Sequence, residues 1–156
     1  MPRKKGRFKK VTTKPDPKYQ SIQVAKLVSK VMQGGKKDVA RRIVYSSFAK
    51  VEKDLKKNPA EVFDQAIANA KPQQEVRSRR VGGATYQVPL PVRKDRAESL
   101  AMRWIVSFAK AKNGPMEANL AQEIIAAYNG EGDAIKKKED IRRMAESNRA
   151  FAHFRW

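Results

Sequence analysis

The chain has no cysteine among its 156 residues, so it forms no disulfide, offers no thiolate to a metal and carries no cysteine nucleophile. Histidine is almost as scarce: His153 is the only one, which rules out a histidine-based zinc site. Long apolar runs are missing too. No stretch approaches the roughly 20 residues that span a bilayer, and the N-terminus lacks the apolar segment of a signal peptide. The expectation is a cytoplasmic protein that neither enters a membrane nor uses metal or any other cofactor. Acid is the scarcer charge, with 16 Asp and Glu against 35 Lys and Arg, a formal net charge of +19. That much like charge repels itself in a compact fold and is balanced best by a polyanion, so nucleic acid is the expected partner.

What is present is mostly helical grammar. Length and composition suit one domain. Residues 1–18, MPRKKGRFKKVTTKPDPK, hold eight basic residues and one acid, Asp16, with little to bury. They are read as a flexible tail that either orders on a partner or serves solubility, with the folded domain running over 19–156. Helix one follows Ser21 as N-cap, with Ile22, Ala25, Val28 and Met32 as its stripe and Gly34 as its stop. Helix two places Val39, Ile43, Phe48, Val51 and Leu55 on one face. Helix three has Asn58 as cap, Pro59 at its first position, Glu61 to close a capping box and Pro72 beyond its end. Helix four carries Ala97, Leu100, Ala101, Trp104, Ile105 and Phe108 inward. Helix five, from Pro115, has Leu120, Ile124 and Tyr128 and is expected to be half buried. Helix six begins near Asp133 and loses regularity after Asn148.

Between helices three and four, at about residues 75–91, the period changes from helical to alternating. Gly82-Gly83 supplies the positive φ angles of a two-residue type I′ or II′ turn, and Val76–Val81 then pairs with Ala84–Pro89. In that register Val81 faces Ala84, Arg79 faces Tyr86 and Arg77 faces Val88. One face carries Arg77, Arg79, Tyr86 and Val88, and the other Ser78, Arg80, Thr85 and Gln87. With arginine on both faces, the tip is expected to project into solvent or a charged partner. Helix six pairs an apolar seam of Ala134, Ile141, Met144 and Ala145 with Lys138, Arg142 and Arg149 on one border and Lys136 and Arg143 on the other. These rails either lie along phosphates or are solvated surface charge. The closing FAHFRW could staple onto the domain, stack on bases or meet a protein neighbour. The fold class is therefore mainly α: a six-helix bundle with one protruding β-hairpin.

Three function classes compete. An RNA-binding structural protein accounts for scattered basic patches and an arm. A DNA-bending protein would use the ribbon in the minor groove, but Pro89 and Pro91, the candidate wedges, lie at its base. An enzyme would need a base, a nucleophile or a metal cage. The carboxylates are instead scattered among cations, no glycine-rich phosphate loop occurs, and His153 stands alone. Neither catalysis nor a small-molecule substrate is expected.

Four motifs, Asp16–Phe48 (DPKYQSIQVAKLVSKVMQGGKKDVARRIVYSSF), Arg79–Val92 (RRVGGATYQVPLPV), Leu100–Val106 (LAMRWIV) and Glu131–Trp156 (EGDAIKKKEDIRRMAESNRAFAHFRW), occur in order. Together they closely resemble the bacterial small-subunit ribosomal protein seven family, from about Lys4 to Trp156. The resemblance implies a six-helix fold with a β-ribbon, and a structural ribosomal protein. It further implies binding to the 16S ribosomal RNA 3′ major domain early in assembly of the subunit head, near the exit-site transfer RNA and the messenger path. Small-subunit proteins nine and eleven would be neighbours. The implied rRNA-binding residues are Arg3, Lys4, Lys5, Arg7, Lys9 and Lys10 in the tail, and Lys36, Lys37 and Arg41 at the start of helix two. Arg77 and Arg79 in the ribbon and Lys136, Lys138, Arg142 and Arg143 in helix six complete the set. The ribbon tip, with Arg79, Arg80, Gly82, Gly83 and Tyr86, would face transfer and messenger RNA. Some members carry a C-terminal extension beyond FAHFRW, and its contacts do not transfer here.

Overall fold

A computed structural model describes residues 13–154. Six α-helices and one antiparallel hairpin follow each other as α1 (Ile22–Val31), α2 (Lys37–Leu55), α3 (Pro59–Ala70), β1 (Gln74–Val81), β2 (Ala84–Pro91), α4 (Lys94–Ala111), α5 (Met116–Tyr128) and α6 (Asp133–Ser147). A 3-10 turn, Arg149–Phe154, closes the described chain. The mainly helical fold with one hairpin between α3 and α4 is the expected one.

The caps explain the helix boundaries. Ser21 Oγ accepts from the amides of Gln23 and Val24, which satisfies two of the amides that open α1. Asn58 accepts from Ala60 N at 3.1 Å and donates through Nδ2 to Glu61 Oε1 at 3.2 Å. Glu61 thus meets the cap through its side-chain amide, in place of the reciprocal backbone bonds of the expected capping box. In the hairpin, Val81 pairs with Ala84, Arg79 with Tyr86 and Arg77 with Val88. Gly82 and Gly83 have φ of 57° and 92°, positive at both turn positions as a type I′ turn requires.

The helix faces depart from the expected stripes. In α1 the buried residues are Val24, Leu27, Val28 and Val31, while Ile22 is 50% exposed. In α2 Ala40, Val44, Phe48 and Val51 are buried and Val39 is 42% exposed. Both helices carry two overlapping apolar phases, and packing against neighbours, not periodicity alone, selects one. Expected to be half buried, α5 is instead the central helix. It packs against α2, α3, α4 and α6, with Leu120, Ala121, Ile124 and Ala127 buried. Alanines add little to an apolar stripe yet let neighbouring helices approach closely, so their count hides how deeply the helix is buried. Trp104, only 9% exposed, is in the core as its stripe predicts.

Of the tail assigned to residues 1–18, residues 1–12 lie outside the described residues. Asp16 is only 4% exposed. It accepts from the Tyr45 hydroxyl at 2.8 and 3.0 Å and from the amides of Lys18 and Tyr19. Burial, followed by the hydrogen bond to Asp16, pushes the Tyr45 phenol above its usual pKa. Asp16 is therefore packed against α2, three residues before the expected start of the domain at 19. A lone acid among cations reads as solvated charge, and its partner lies 29 positions away.

Candidate nucleic-acid interface

At the start of α2 the expected cations Lys36 and Lys37 are exposed, and Arg41 is half-buried with its Nη1 donating to Asp38 at 3.0 Å. Lys36 forms one rim of a cleft of about 340 Å³. Its floor is Val31, Val39, Ala40, Ile43 and Met116, and its other rim is Lys110 and Lys112 from the end of α4. The exposed Val39 is one of the residues that line this cleft. An apolar floor with ammonium groups at the edge can take the flat face of a base and the phosphate beside it. Lys110, Lys112 and Met116 were not among the expected site residues. They are more than seventy positions from Lys36 in the chain, and no local pattern announces the meeting.

Lys112 is also tied inward, donating to Glu123 Oε2 at 2.7 Å. Glu123 is fully buried, and its Oε1 accepts from the amide of Ala134 at 3.1 Å. The N-terminus of α6 has no side-chain cap of its own, so this carboxylate supplies one from α5. Gly132 must be glycine here, because φ is +89° and a Cβ would sit 2.9 Å from Ala126 Cβ and 3.3 Å from Glu123 Oε1.

The ribbon is divided along its length and between its faces. Midway along the ribbon Val88, opposite Arg77, is fully buried. Toward the tip Ser78, Arg80, Gly82, Gly83, Ala84, Thr85 and Gln87 are exposed, as the arginines on both faces predict. The face bearing Arg79 and Tyr86 is partly covered by the chain's own end, since the Tyr86 ring lies 5.1 Å from both Phe151 and Phe154. Of the three roles open to the aromatic C-terminus, the described part takes the first and staples onto the domain. Trp156 lies outside the described residues. Arg77 pairs with Glu75 Oε1 at 2.6 Å, and Arg96 of α4 reaches Oε2 of the same carboxylate at 2.6 Å. Burial pushes Glu75 up, but the hydrogen bonds from Arg96 and Arg77 outweigh it and hold the carboxyl below the usual range. The ribbon base is thereby fastened to α4.

On the rails of α6, Lys136, Arg142 and Arg143 are exposed but paired, and Lys138 is half-buried. Lys138 Nζ donates to the carbonyl of Asn69 at 2.6 Å, which turns it toward α3. Arg142 is held between Glu139 and Glu146. The hydrogen bond and charge of Glu139 raise its pKa further. Arg143 lies 3.8 Å from Asp140, and Lys136 lies 3.2 Å from Asp133. The seam is narrower than expected, for Ala134 and Ala145 are buried, Ile141 is half-buried and Met144 is 44% exposed. Asp and Glu three or four residues away pair with Lys136, Arg142 and Arg143 within the helix, while Lys138 finds its partner on α3.

Among the described residues no cluster of acids and histidine could hold a metal ion, and no helix is long and apolar enough to cross a membrane. Residues 3–149 match the family described as ribosomal protein S7p/S5e. The chain belongs to this family. It is 61% identical over 143 residues to the small ribosomal subunit protein uS7 of Thermotoga neapolitana, covering 91% of this chain and 92% of that one. The protein of the same name from Thermotoga petrophila is 57% identical, and that from an Anaeromyxobacter species 51%, each over the whole of both chains. This is a structural, non-enzymatic family of ribosomal proteins of the small subunit. The tail cations Arg3, Lys4, Lys5, Arg7, Lys9 and Lys10 fall inside the family match and outside the described residues.

Proposed function

We propose that the protein is a primary binder of 16S ribosomal RNA that organises the 3′ major, or head, domain of the small subunit. Its contacts are the cleft of Lys36, Lys110 and Lys112, the neighbouring Lys37 and Arg41, the tail, and the exposed side of the ribbon with Arg80. The observation that carries the reading is the cleft itself, because it joins a lysine rim to an apolar floor that a base can cover. The ribbon tip, Arg79 to Ala84 with Tyr86, would face exit-site transfer RNA and messenger RNA, with small-subunit proteins nine and eleven as neighbours. Family membership and the projecting tip support this placement. Arg41, Lys112, Arg77, Arg79, Lys136, Lys138, Arg142 and Arg143 take part by exchanging an internal partner for phosphate or by shaping the surface.

The test is a titration of the purified protein against a head-domain transcript, an unrelated structured RNA and a duplex DNA of equal charge, each at two salt concentrations. The transcript should keep a preference at the higher salt. If about six phosphates are neutralised, log K falls against log salt with a slope of about −4 to −5. Equal affinity for all three would reduce the surface to a non-specific anchor.

A further inference from the structure

The described residues contain two non-glycine positions with left-handed backbone, Gln20 at φ 48° and Lys56 at φ 52°. Lys56 is the residue that ends α2, where glycine is the common choice because a side chain there is strained. A lysine at such a position is strained relative to glycine. Lys56 lines an open hollow of about 610 Å³ with Lys18, Tyr19, Lys57, Asn58 and Glu52, and Gln20 follows Tyr19 directly. Three cations thus surround the hollow against one carboxylate.

Two of these cations are held in place before any ligand arrives. Lys18 Nζ lies 5.2 Å from the ring centroids of both Tyr19 and Tyr45. Lys57 Nζ lies 5.2 Å from the Tyr128 ring and donates to its hydroxyl at 2.8 Å. Lys18, set over two aromatic rings, and Lys57, hydrogen-bonded to a phenol, have already lost part of the rotamer freedom that binding would cost. The exposed large apolar side chains, Ile22, Val39 and Met144, do not line this hollow. A protein interface needs such an apolar centre, whereas a phosphodiester needs only donors and charge.

We infer that Lys18, Lys56 and Lys57 form a second site for RNA backbone phosphate, separate from the cleft of Lys36 and Lys110. The two sites stand at opposite ends of the 19-residue α2, about 28 Å apart at the rise of an α-helix. No single phosphate reaches both, so the bound RNA either runs along α2 or brings two segments to its ends. The inference rests on the RNA-binding reading above and adds a second anchor to it.

Lys56→Gly separates side chain from backbone, because it relieves the strain while removing the cation. The melting temperature of the full chain should hold or rise by about 2 °C. Affinity for a head-domain transcript should fall about fivefold, and the salt slope should shrink by about 1. Lys56→Arg should keep the affinity. Lys36→Ala serves as the reference. If it weakens binding while Lys56→Gly binds as the parent does, the second site is overturned and the cleft stands. A drop in affinity accompanied by a lower melting temperature would make Lys56 structural and overturn the site as well. If the parent shows no preference for the transcript, the RNA-binding reading itself fails.

Discussion

Along α6, Lys136, Lys138, Arg142 and Arg143 each meet an oxygen of the same protein. At the start of α2, Lys36 and Lys37 are exposed and, with Lys110 beyond, form no ion pair among the described residues. The two regions look alike in composition, and sequence gives α6 the larger run of cations. The contrast shows that net charge and available charge are different quantities: on α6 acids at helical spacing pair with Lys136, Arg142 and Arg143, while among the described residues at the cleft only Lys112 is tied to an acid, Glu123, and Lys36 and Lys110 from two distant segments form no ion pair. The two regions are also joined physically, because Glu123 holds both Lys112 at the cleft and the first turn of α6.

Breaking that joint should have the largest effect. Glu123→Leu removes the acceptor for Ala134 N and leaves Lys112 without its carboxylate. Lys112 is 34% exposed and can turn to water, which limits the cost, but the capping amide remains buried. A loss of about 2–4 kcal/mol follows, or about 5–12 °C in melting temperature. Glu123→Gln, which keeps an acceptor, should lose less. If Glu123→Leu melted like the parent, α6 would not depend on this carboxylate for its start.

A sharper comparison of the two cation sets comes from RNA titration. Replacing Lys36 and Lys110 with alanine should reduce the salt slope by about 2, one unit for each phosphate that is no longer neutralised. Replacing Arg142 and Arg143 should reduce it by less than 1, since those cations must first give up Glu139, Glu146 and Asp140. Equal slopes would mean that the acids on α6 release their partners at no cost, and the distinction between net and available charge would collapse.

The ribbon was legible in the sequence down to its residue pairing, because Gly82-Gly83 permits one tight turn and the turn fixes every pair outward from it. The starts of α1 and α3 were legible for a similar reason, as the caps Ser21 and Asn58 are local chemistry. Helix faces were less so: Ile22 and Val39 belong to apolar phases that local sequence cannot choose between. The cleft, the Asp16–Tyr45 bond and the role of Glu123 were not legible. Each joins residues that nothing in their own segments marks as partners, and a buried glutamate looks like a surface one until its donors are placed around it.

Glu75 offers the smallest predicted effect and the finest control, because it fastens the ribbon while leaving both cation sets unchanged. Its carboxyl is held below the usual glutamate range in the folded protein, so folding favours the charged form. The stabilisation is therefore complete above the unfolded value of about 4.3 and is lost as pH falls through the lower folded value. Glu75→Gln should cost about 1 kcal/mol near neutral pH. Melting curves of the two proteins should converge as the pH drops below about 4. In RNA titration the variant should retain the cleft's salt slope, because Lys36 and Lys110 do not touch it. A change in that slope would mean that the ribbon and the cleft bind as one surface, and the separation drawn between them would fail at that point.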